Sequence, residues 1–517
     1  MEEVGRVLED ATPLGFSLKA KMDTPIGLHD YIVVDVDEII GKEVKRVQVL
    51  AEVIRFKTKD PFATPEMVVE GESPLYSYKI LEAEILGYID DAGRVIRPKT
   101  APNPGAPVYR ADSETLQSFF KGDEEEVPVY VGHLIRDPDV KVPIYLREAQ
   151  FHIGVFAATR AGKSYLAGKI MEEILEKAAL PVIVVDINGD YVKMDQLDGG
   201  GKQTAFNVVV YQPPRAPRID GLTAEWKELK IGLKQVSTDA LLMMLGSIGD
   251  IQRNIMEDIL EELGKKGKPY GINDVISTIK ERLEEKDENG KPVLKDQRGS
   301  HIGLLQRLKG LARFIPFTEE EFDIGSLFQP ETLSIICLSG LRASIQDALT
   351  ASIIDLIFKH QILMHEEDPE NHVPVFLFIE EAHRVASSGS RFAVETISTA
   401  IREGSKYGLF LVIISQRPRS IVPDVLSNIG NYAVLRITNN EDQDQIKDAS
   451  ESFSHRLIED LPALNQGEAV LVGPFVPLPA HIKILKRKTI HRGTTPNLYE
   501  KIKRIKERKK ESDKSWK

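Results

Sequence analysis

The N-terminal part of the chain alternates short apolar runs with turn signals. Three runs rich in β-branched residues lie at 31–36, 47–54 and 80–86. The segment Asp90-Asp-Ala-Gly93 is typical of a turn between strands. Because several short strands follow one another in this way, we predict a small β-barrel over residues 1–115. The proline-rich stretch 98–107 marks the end of this barrel.

From residue 150 onward, the pattern changes to apolar strands that alternate with helix-like segments. The apolar runs lie at 152–156, 181–185, 375–379, 409–414, 433–437 and 469–472. Several of them are continuous rather than alternating, which is typical of parallel strands covered on both faces. The sequence therefore predicts an α/β core in two parts, residues 116–220 and 331–490.

A charged segment with helical periodicity separates the two parts of this core. Four apolar residues recur at every fourth position, with charged residues between them: Ile251, Ile255, Ile259 and Leu263. This spacing predicts one apolar helix face, so we expect a helical insertion over residues 221–330. Residues 491–517 are predicted to form a basic tail, since positions 500–517 carry nine Lys or Arg against four Asp or Glu.

Composition and charge narrow the class of protein. No apolar run reaches the roughly 18 residues that a membrane-spanning helix needs, and the N-terminus lacks the features of a signal peptide. We therefore expect a cytoplasmic protein with no membrane partner. The net charge of −12 argues against nucleic-acid contact over the whole surface but allows a local basic channel. The single cysteine, Cys337, excludes an intramolecular disulfide and is expected in the core.

The sharpest local signal is the segment Ala157-Ala-Thr-Arg-Ala-Gly-Lys-Ser164, which follows an apolar strand and precedes a helix-like run. This is the context of a phosphate-binding loop, in which backbone N–H groups at a helix start attract an anion. Lys163 is predicted to contact the β- and γ-phosphates of ATP, and the Ser164 hydroxyl to bind Mg²⁺. Ala157 replaces the usual first glycine, which a negative φ would allow. The predicted nucleotide-binding residues are Ala158, Thr159, Arg160, Ala161, Gly162, Lys163, Ser164 and Tyr165.

Polar side chains follow three further strands, where ligands bind in open α/β sheets. We assign Glu380 to the Mg²⁺ site and Glu381 to the catalytic base that polarises the attacking water. Taken alone, this pair is equally consistent with a solvated helix start. Gln416 is predicted to sense the γ-phosphate or its water. Asp186, at another strand end, joins the predicted metal site, and His383 is expected to be structural.

Six blocks of residues together resemble the HerA family of DNA translocases, in the HerA/FtsK branch of P-loop motors. They are Ala158-Thr-x-x-Gly-Lys-Ser164, Asp186-x-x-Gly-Asp-Tyr191, Glu380-Glu-Ala-His383, Arg402-Glu-Gly-Ser-Lys-Tyr-Gly408, Ser415-Gln-Arg-Pro418 and Leu461-Pro-Ala-Leu-Asn-Gln-Gly-Glu-Ala469. Their order and spacing match over residues 150–475, and the N-terminal barrel is similar to the small HAS-barrel of that family. The combination is far more specific than any one block.

The resemblance implies an α/β fold with a RecA-like P-loop ATPase core, an N-terminal small β-barrel and an inserted helical subdomain. It also implies a homo-hexameric ring that hydrolyses ATP with Mg²⁺ at subunit interfaces and pumps double-stranded DNA through its pore, as a helicase of homologous recombination and DNA repair. A NurA-like nuclease is the implied partner in resection of DNA ends, with other end-resection proteins as further candidates.

One departure from the family pattern leaves a residue assignment open. The arginine that commonly follows Glu-Gly is Ser405 here, with Lys406 after it. Arg402 is therefore our first choice for the catalytic cation donated to a neighbouring subunit, with Lys406 and Arg417 as substitutes. Arg402 is equally consistent with a pair to an acid on its own helix. Two other protein classes stay open, a conjugation or secretion motor of related fold and a non-motor nucleotide switch or kinase.

Overall fold

The computed structural model describes most of the chain: residues 1–59, 77–121, 127–217, 219, 221–246, 248–289, 291–294, 296–315, 317–387, 389, 391–450, 453–492, 502–503 and 505–506. Most of the predicted tail, 491–517, thus lies outside the described residues. The chain divides into two compact units. The first consists of Met1–Ala178, Glu381–Gly389 and Ile397–Lys486, and the second of Ala179–Glu380, Ser390–Thr396 and Arg487–Lys517.

The strands and helices are numbered in chain order. The strands are β1 (Glu3–Val7), β2 (Gly15–Lys21), β3 (Tyr31–Ile40), β4 (Glu43–Lys59), β5 (Tyr78–Ile89), β6 (Val95–Ile96), β7 (Pro107–Arg110), β8 (Pro128–Leu134), β9 (Lys141–Tyr145), β10 (Ile153–Phe156), β11 (Val182–Asp186), β12 (Asn207–Gln212), β13 (Glu225–Glu228), β14 (Thr332–Cys337), β15 (Val375–Ile379), β16 (Leu409–Ser415), β17 (Asn431–Leu435), β18 (Glu468–Val472) and β19 (Ala480–Ile484). The helices are α1 (Ser113–Phe119), α2 (Lys163–Ala178), α3 (Thr238–Leu245), α4 (Asp250–Lys265), α5 (Ile272–Glu284), α6 (Arg298–Ala312), α7 (Ala343–Glu367), α8 (Arg391–Glu403), α9 (Pro423–Leu426), α10 (Asn440–Ala449) and α11 (His455–Asp460).

The first unit begins with a closed barrel of six strands, which confirms the predicted N-terminal barrel. Its strands follow the order β2-β1-β7-β3-β4-β5, and β5 pairs back with β2. The inward side chains form one apolar core that includes Leu18, Ile32, Val49, Leu81 and Val108. Closure satisfies the backbone hydrogen bonds that an open sheet would leave at its edges. The three predicted runs lie within β3, β4 and β5, which extend beyond them because β-branched residues mark only the buried part of each strand.

The α/β part of the first unit carries strands in the order β16-β10-β17-β18-β19-β8-β9. Strand β10 is parallel to both of its neighbours, β16 and β17. The remaining pairs in this row are antiparallel. The apolar runs at 433–437 and 469–472 therefore form an antiparallel pair, whereas their continuity had favoured parallel strands. Burial on both faces makes a run continuous, and it does not fix the direction of the strand.

The second unit contains a parallel sheet with the strand order β13-β12-β14-β11-β15. All residues of β11, β14 and β15 are buried, as expected for central parallel strands. Cys337 ends β14 and is fully buried, which confirms its place in the core. The predicted strand set did not include β12 and β14. Among the described residues, no helix is both long enough and apolar enough to cross a membrane.

The predicted helical insertion contains the four helices α3 to α6 but also strand β13, which pairs with β12. On α4, Ile255, Ile259 and Leu263 are buried, as their spacing predicted. The prediction was wrong for Ile251, which lies in the first turn of α4 and is 52% exposed. A helix end extends beyond the partners that cover its middle, so the periodic pattern overestimates the buried length. The boundaries of the insertion stay a prediction.

The two isoleucines give a matched test of this packing. We expect Ile259→Ala to cost about 2–5 kcal/mol of local stability because it removes a fully buried side chain. Ile251→Ala, the same change at the exposed first turn of the same helix, should change stability by less than about 0.5 kcal/mol. Hydrogen exchange of the α4 amides measures both effects. Equal exchange rates in the two variants would contradict the assigned helix face.

Candidate functional site

The segment that joins β10 to α2 is anchored by the strands on both sides of β10. The N–H of Ala157 donates to the carbonyl of Ser415 at 3.3 Å, and the N–H of Ala158 donates to the carbonyl of Arg436 at 2.8 Å. These acceptors end β16 and follow β17, so the loop leaves the sheet from a fixed point. Ala157 is fully buried and its φ is not positive. An alanine is therefore tolerated where the usual motif has glycine.

The loop turns sharply before the helix begins. Arg160 adopts a left-handed conformation with φ of 67°, and Gly162 has φ of 114°, a region that favours glycine. The carbonyl of Gly162 accepts the N–H of Leu166 at 3.0 Å and so starts the helix. A left-handed residue close to a helix start turns successive N–H groups toward one side, which makes an anion-binding concavity. The local backbone thus has the form that phosphate binding requires.

The two residues predicted to act on the γ-phosphate lie in contact. The ammonium nitrogen Nζ of Lys163 is 2.6 Å from Oε1 of Glu381, and both side chains are largely buried. The other oxygen of Glu381, Oε2, is 3.3 Å from Nδ1 of His383. That ring nitrogen also lies 3.2 Å from the hydroxyl of Ser415. The structure therefore brings Lys163 and Glu381 to one place, as the strand ends predicted, while their catalytic roles stay predictions.

The protonation of His383 follows from its surroundings. Burial is the largest influence and lowers the pKa of His383. Glu381 raises this pKa, whereas Lys163 and Arg417 lower it further. The net direction is downward, so His383 is a neutral imidazole at pH 7 and can share a hydrogen bond with the Ser415 hydroxyl. This arrangement fits the structural role that was expected for His383.

Glu381 has an unusual backbone conformation for a residue with a large side chain. Its φ of 48° and ψ of 41° place it in the left-handed region. Such a conformation costs on the order of 1–3 kcal/mol and clusters at functional sites. Its carbonyl accepts the N–H of Arg384 at 2.9 Å and so begins a short 3₁₀ turn, Ala382–Arg384. This turn directs the carboxylate to Lys163.

Gln416 is held against the loop by a direct hydrogen bond. The hydroxyl of Thr159 donates to Oε1 of Gln416 at 2.9 Å. The next residue, Arg417, donates its backbone N–H to the hydroxyl of Ser415 at 3.0 Å. The structure thus places Gln416 beside the predicted phosphate loop. Its function as a γ-phosphate sensor stays a prediction.

The three candidates for a cation donated to a neighbouring subunit are all exposed. The Nη1 atom of Arg402 is 3.6 Å from Oδ2 of Asp424, and both side chains are about half exposed. Asp424 belongs to α9, so the acid that pairs with Arg402 is not on its own helix. Lys406 lies over the ring of Tyr407 at 5.7 Å, and Arg417 follows Gln416. Exposure to solvent is compatible with a role at a neighbouring subunit for each of the three candidates.

Ser405, which stands at the position of the family's arginine, points into the unit. Its hydroxyl donates to the carbonyl of Gln150 and lies 3.3 Å from Nε2 of His152. The ring of His152 bridges the carbonyl of Ile401 and the N–H of Leu411. Burial lowers the pKa of His152 to about 4, so this ring is neutral. Ser405 therefore takes part in hydrogen bonds within the unit and supplies no positive charge to a neighbouring subunit.

In the second unit, the carboxylate of Asp186 organises the loop that follows β11. Its Oδ1 atom accepts the N–H groups of Asn188, Gly189 and Asp190, and Oδ2 accepts the N–H of Tyr191. Burial raises the pKa of Asp186 to about 6, although the backbone hydrogen bonds oppose this shift. Four backbone N–H groups donate to this carboxylate, so Asp186 stabilises the conformation of the loop. Direct coordination of Mg²⁺ by Asp186 stays a prediction.

Glu380 is almost fully buried and is held by the same loop. The phenol of Tyr191 donates to Oε1 at 2.8 Å, and the side-chain amide of Asn188 donates to Oε2 at 3.3 Å. Burial, together with the charges of Glu380 and Asp186, raises the pKa of Tyr191 well above its usual range, so the phenol remains a donor. Sequence reasoning missed Tyr191 and Asn188 as site residues. The block Asp186-x-x-Gly-Asp-Tyr191 contained both, but nothing in its spacing indicated a contact with Glu380.

Comparisons with known proteins concern the family and the fold of the chain. The family described as "Helicase HerA, central domain" matches residues 129–357. The chain is 25% identical to a protein of Pyrococcus furiosus named "DNA double-strand break repair helicase HerA", over 95% of this chain and 93% of that protein. The structure is similar to VirB4 of Thermoanaerobacter pseudethanolicus, with a TM-score of 0.51, 16% identity and coverage of 71% of this chain and 98% of that one. It is also similar to the plasmid coupling protein TrwB in complex with ADP and Mg²⁺, with a TM-score of 0.50, 14% identity and coverage of 74% and 94%.

Glu381 provides the sharpest test of the predicted chemistry. We expect Glu381→Gln to bind ATP but to hydrolyse it at least ~100-fold more slowly, because an amide cannot accept the proton of the attacking water. Lys163→Ala should abolish hydrolysis, since the loop loses the charge that contacts the phosphates. Glu366→Gln, the same change on an exposed residue of α7, is the matched control and should keep full turnover. Steady-state ATPase assays measure the turnover of each variant. Unchanged turnover in Glu381→Gln would exclude the role of Glu381 as the catalytic base.

Proposed function

Because this chain belongs to the HerA family of helicases, we propose that it is an ATP-driven translocase of double-stranded DNA. We further propose that it assembles as a homo-hexamer and acts with a NurA-like nuclease in the resection of DNA ends for recombinational repair. Support for the DNA substrate comes from the Pyrococcus furiosus relative, whose name describes a helicase of double-strand break repair. The hexamer and the nuclease partner are supported by the resemblance to the family alone.

The observation that carries the proposal is the 2.6 Å contact between Lys163 and Glu381 at the start of α2. A phosphate group held by the loop would compete for the ammonium group of Lys163, because its charge density is higher than that of one carboxylate. The carboxylate of Glu381 would then be released to accept a proton from the attacking water. The left-handed backbone of Glu381 keeps its side chain at this position in either case.

Mg²⁺ is the metal that the predicted donor set fits, since hydroxyl and carboxylate oxygens are the ligands that it prefers. Bound together with ATP, Mg²⁺ would neutralise charge on the β- and γ-phosphates. We propose that Ser164 is a direct ligand and that Glu380 orders the surrounding water. We propose Asp186 as a further member of the metal site, and it also shapes the loop whose Tyr191 phenol holds Glu380. TrwB, a protein of similar fold, has been solved in complex with ADP and Mg²⁺, which supports the proposal of ATP and Mg²⁺ as cofactors.

Binding to DNA should be independent of sequence and steeply dependent on salt. A translocase follows the phosphate backbone, and each neutralised phosphate releases counterions. We expect affinity to fall about 10³-fold or more between 50 and 200 mM salt if six or more phosphates are contacted. Fluorescence anisotropy with two duplexes of unrelated sequence measures both properties, and duplex DNA should also stimulate the ATPase. Affinity that does not depend on salt, or that requires one sequence, would exclude this mode of binding.

A mixing experiment tests whether neighbouring subunits share catalytic sites. We expect Lys163→Ala and Arg402→Ala proteins to be nearly inactive alone, since an arginine from a neighbour supplies about 10³–10⁵ in rate. Mixed rings should regain part of the ATPase activity, because some interfaces then pair an intact loop with an intact arginine. The matched control mixes Lys163→Ala with the Lys163→Ala/Arg402→Ala double variant, in which no interface is complete.

Recovery in the first mixture and not in the control would support a catalytic cation donated by a neighbour. If rings verified to be mixed show no recovery, Arg402 does not act on a neighbouring subunit. The same design then applies to Lys406 and Arg417.

A further inference from the structure

Two histidines and a glutamate meet where the barrel of the first unit contacts its α/β sheet. His29 precedes β3 and Glu52 lies on β4, so both belong to the barrel. His481 lies on β19, in the sheet. One nitrogen or oxygen from each side chain lies within 4.8 Å of the other two. This His29–Glu52–His481 cluster is separate from the phosphate loop and has no role in the chemistry described above.

The geometry of the cluster suits a metal ion. Atom Oε1 of Glu52 is 2.8 Å from Nδ1 of His29 and 3.1 Å from Nδ1 of His481. Ligands that bind Zn²⁺ at about 2.0–2.2 Å in a tetrahedron lie about 3.3 Å from one another. The two distances from Oε1 of Glu52 differ from this spacing by about half an ångström or less, and all three ligand atoms lie within 4.8 Å of one another. Imidazole nitrogen and carboxylate oxygen are also ligand types that Zn²⁺ prefers.

His481 supplies the second observation. Its side chain is 2% exposed, and neither Nδ1 nor Nε2 has a hydrogen-bond partner among the described residues. Nδ1 lies 3.1 Å from Oε1 of Glu52 but is not hydrogen-bonded to it. A buried imidazole without a partner is costly, since a buried polar atom left unpaired loses about 1–3 kcal/mol. An ion between the two side chains would satisfy this nitrogen.

The surroundings of His481 match those of a metal-binding histidine. Oδ2 of Asp460 lies 3.7 Å from Nε2, on the side of the ring opposite Glu52. Histidines that bind a metal through one nitrogen usually donate the other N–H to a carboxylate, which fixes the ring. The Asp460 oxygen has no hydrogen-bond partner among the described residues either. A small approach of these two groups would complete a carboxylate–histidine–metal arrangement.

The charge of the site favours a cation. Glu52 is only 5% exposed, and its carboxylate lies between the two imidazole rings. Asp460 adds a second negative charge, and Arg456 lies 3.8 Å from it. A buried carboxylate is stabilised by a positive partner, which a divalent ion provides more strongly than imidazole does.

The loop that carries His29 is already held in place. His29 adopts a left-handed backbone conformation with φ of 64°, and its N–H donates to the carbonyl of Val53 at 2.9 Å. The guanidinium of Arg136, from the sheet side, donates to the carbonyl of Leu28 at 2.8 Å. The rings of His29 and His481 lie 4.0 Å apart. The ring of His29 remains partly exposed, so an ion has a route into the site.

From these observations we propose that His29, Glu52 and His481 bind a divalent transition-metal ion, Zn²⁺ by its ligand set, which fixes the barrel to the α/β sheet. Three protein ligands leave one tetrahedral position for water. The ion takes the place of the protons on the two Nδ1 atoms that face Glu52, so binding releases protons and weakens at low pH. The site is structural, since it lies away from the phosphate loop.

Metal uptake by the full-length protein tests the proposal. The protein is first treated with a chelator, exchanged into buffer and titrated with Co²⁺ as a spectroscopic substitute for Zn²⁺. We expect intense d–d absorption, typical of a tetrahedral site with imidazole ligands, that saturates at about one ion per chain. Excess Mg²⁺ and ADP should not reduce this signal, because oxygen-only sites bind Co²⁺ weakly and in octahedral geometry. Elemental analysis of the protein as purified should find Zn²⁺ in the same proportion.

Variants locate the site. Glu52→Gln and His29→Ala should each reduce affinity for Co²⁺ at least 100-fold, since each removes one ligand. His133→Ala is the matched control, because His133 is a half-buried histidine on neighbouring strand β8 and is not in the cluster. It should bind Co²⁺ like the wild type. The titration of the wild-type protein tests the proposal even if a variant fails to fold. If the wild-type protein binds no Co²⁺ in tetrahedral geometry, the proposal is wrong. Unchanged binding in folded Glu52→Gln overturns it as well.

Discussion

The parallel pairing of β10 with β16 and β17 is the constraint on which the phosphate loop depends. Both neighbours supply carbonyls to the first two loop residues, so the loop starts from a fixed point. The same pairing brings the carboxyl end of β16 beside the loop, which is why Gln416 contacts Thr159. Ser415, the last residue of β16, adds a hydroxyl that contacts His383. Three parallel strands thus position the side chains that surround Lys163.

The second unit shows a chain of positioning contacts that begins at one buried carboxylate. Asp186 accepts four amides and fixes the loop, the loop fixes Tyr191 and Asn188, and these hold both oxygens of Glu380. Each step replaces water by a directed donor in a buried environment, where an unpaired oxygen would be costly. Glu380 therefore has little freedom to rotate.

The sequence predicted strand ends and loops well, because apolar runs and the order of polar residues after them are local signals. These local signals also predicted that Lys163 and Glu381 lie close together. The sequence did not reveal what each polar atom contacts. For example, the spacing of residues does not show that the carboxylate of Asp186 accepts four backbone amides. The His29–Glu52–His481 cluster had no signal, since its members come from distant segments with no characteristic spacing. Burial of Ile251 was overestimated because periodicity does not show where a covering surface ends.

Closure of the N-terminal barrel has a consequence for how other proteins can recognise it. Each of its six strands is hydrogen-bonded on both sides. A partner therefore cannot bind the described part of this ring by adding a strand to it, a common mode of recognition for open sheets. Recognition has to use side chains and connecting loops, such as the exposed Ile39, Ile40 and Val44 at the β3–β4 turn. Specificity at such a surface is encoded in a few residues, so it can change between related proteins while the barrel itself stays the same.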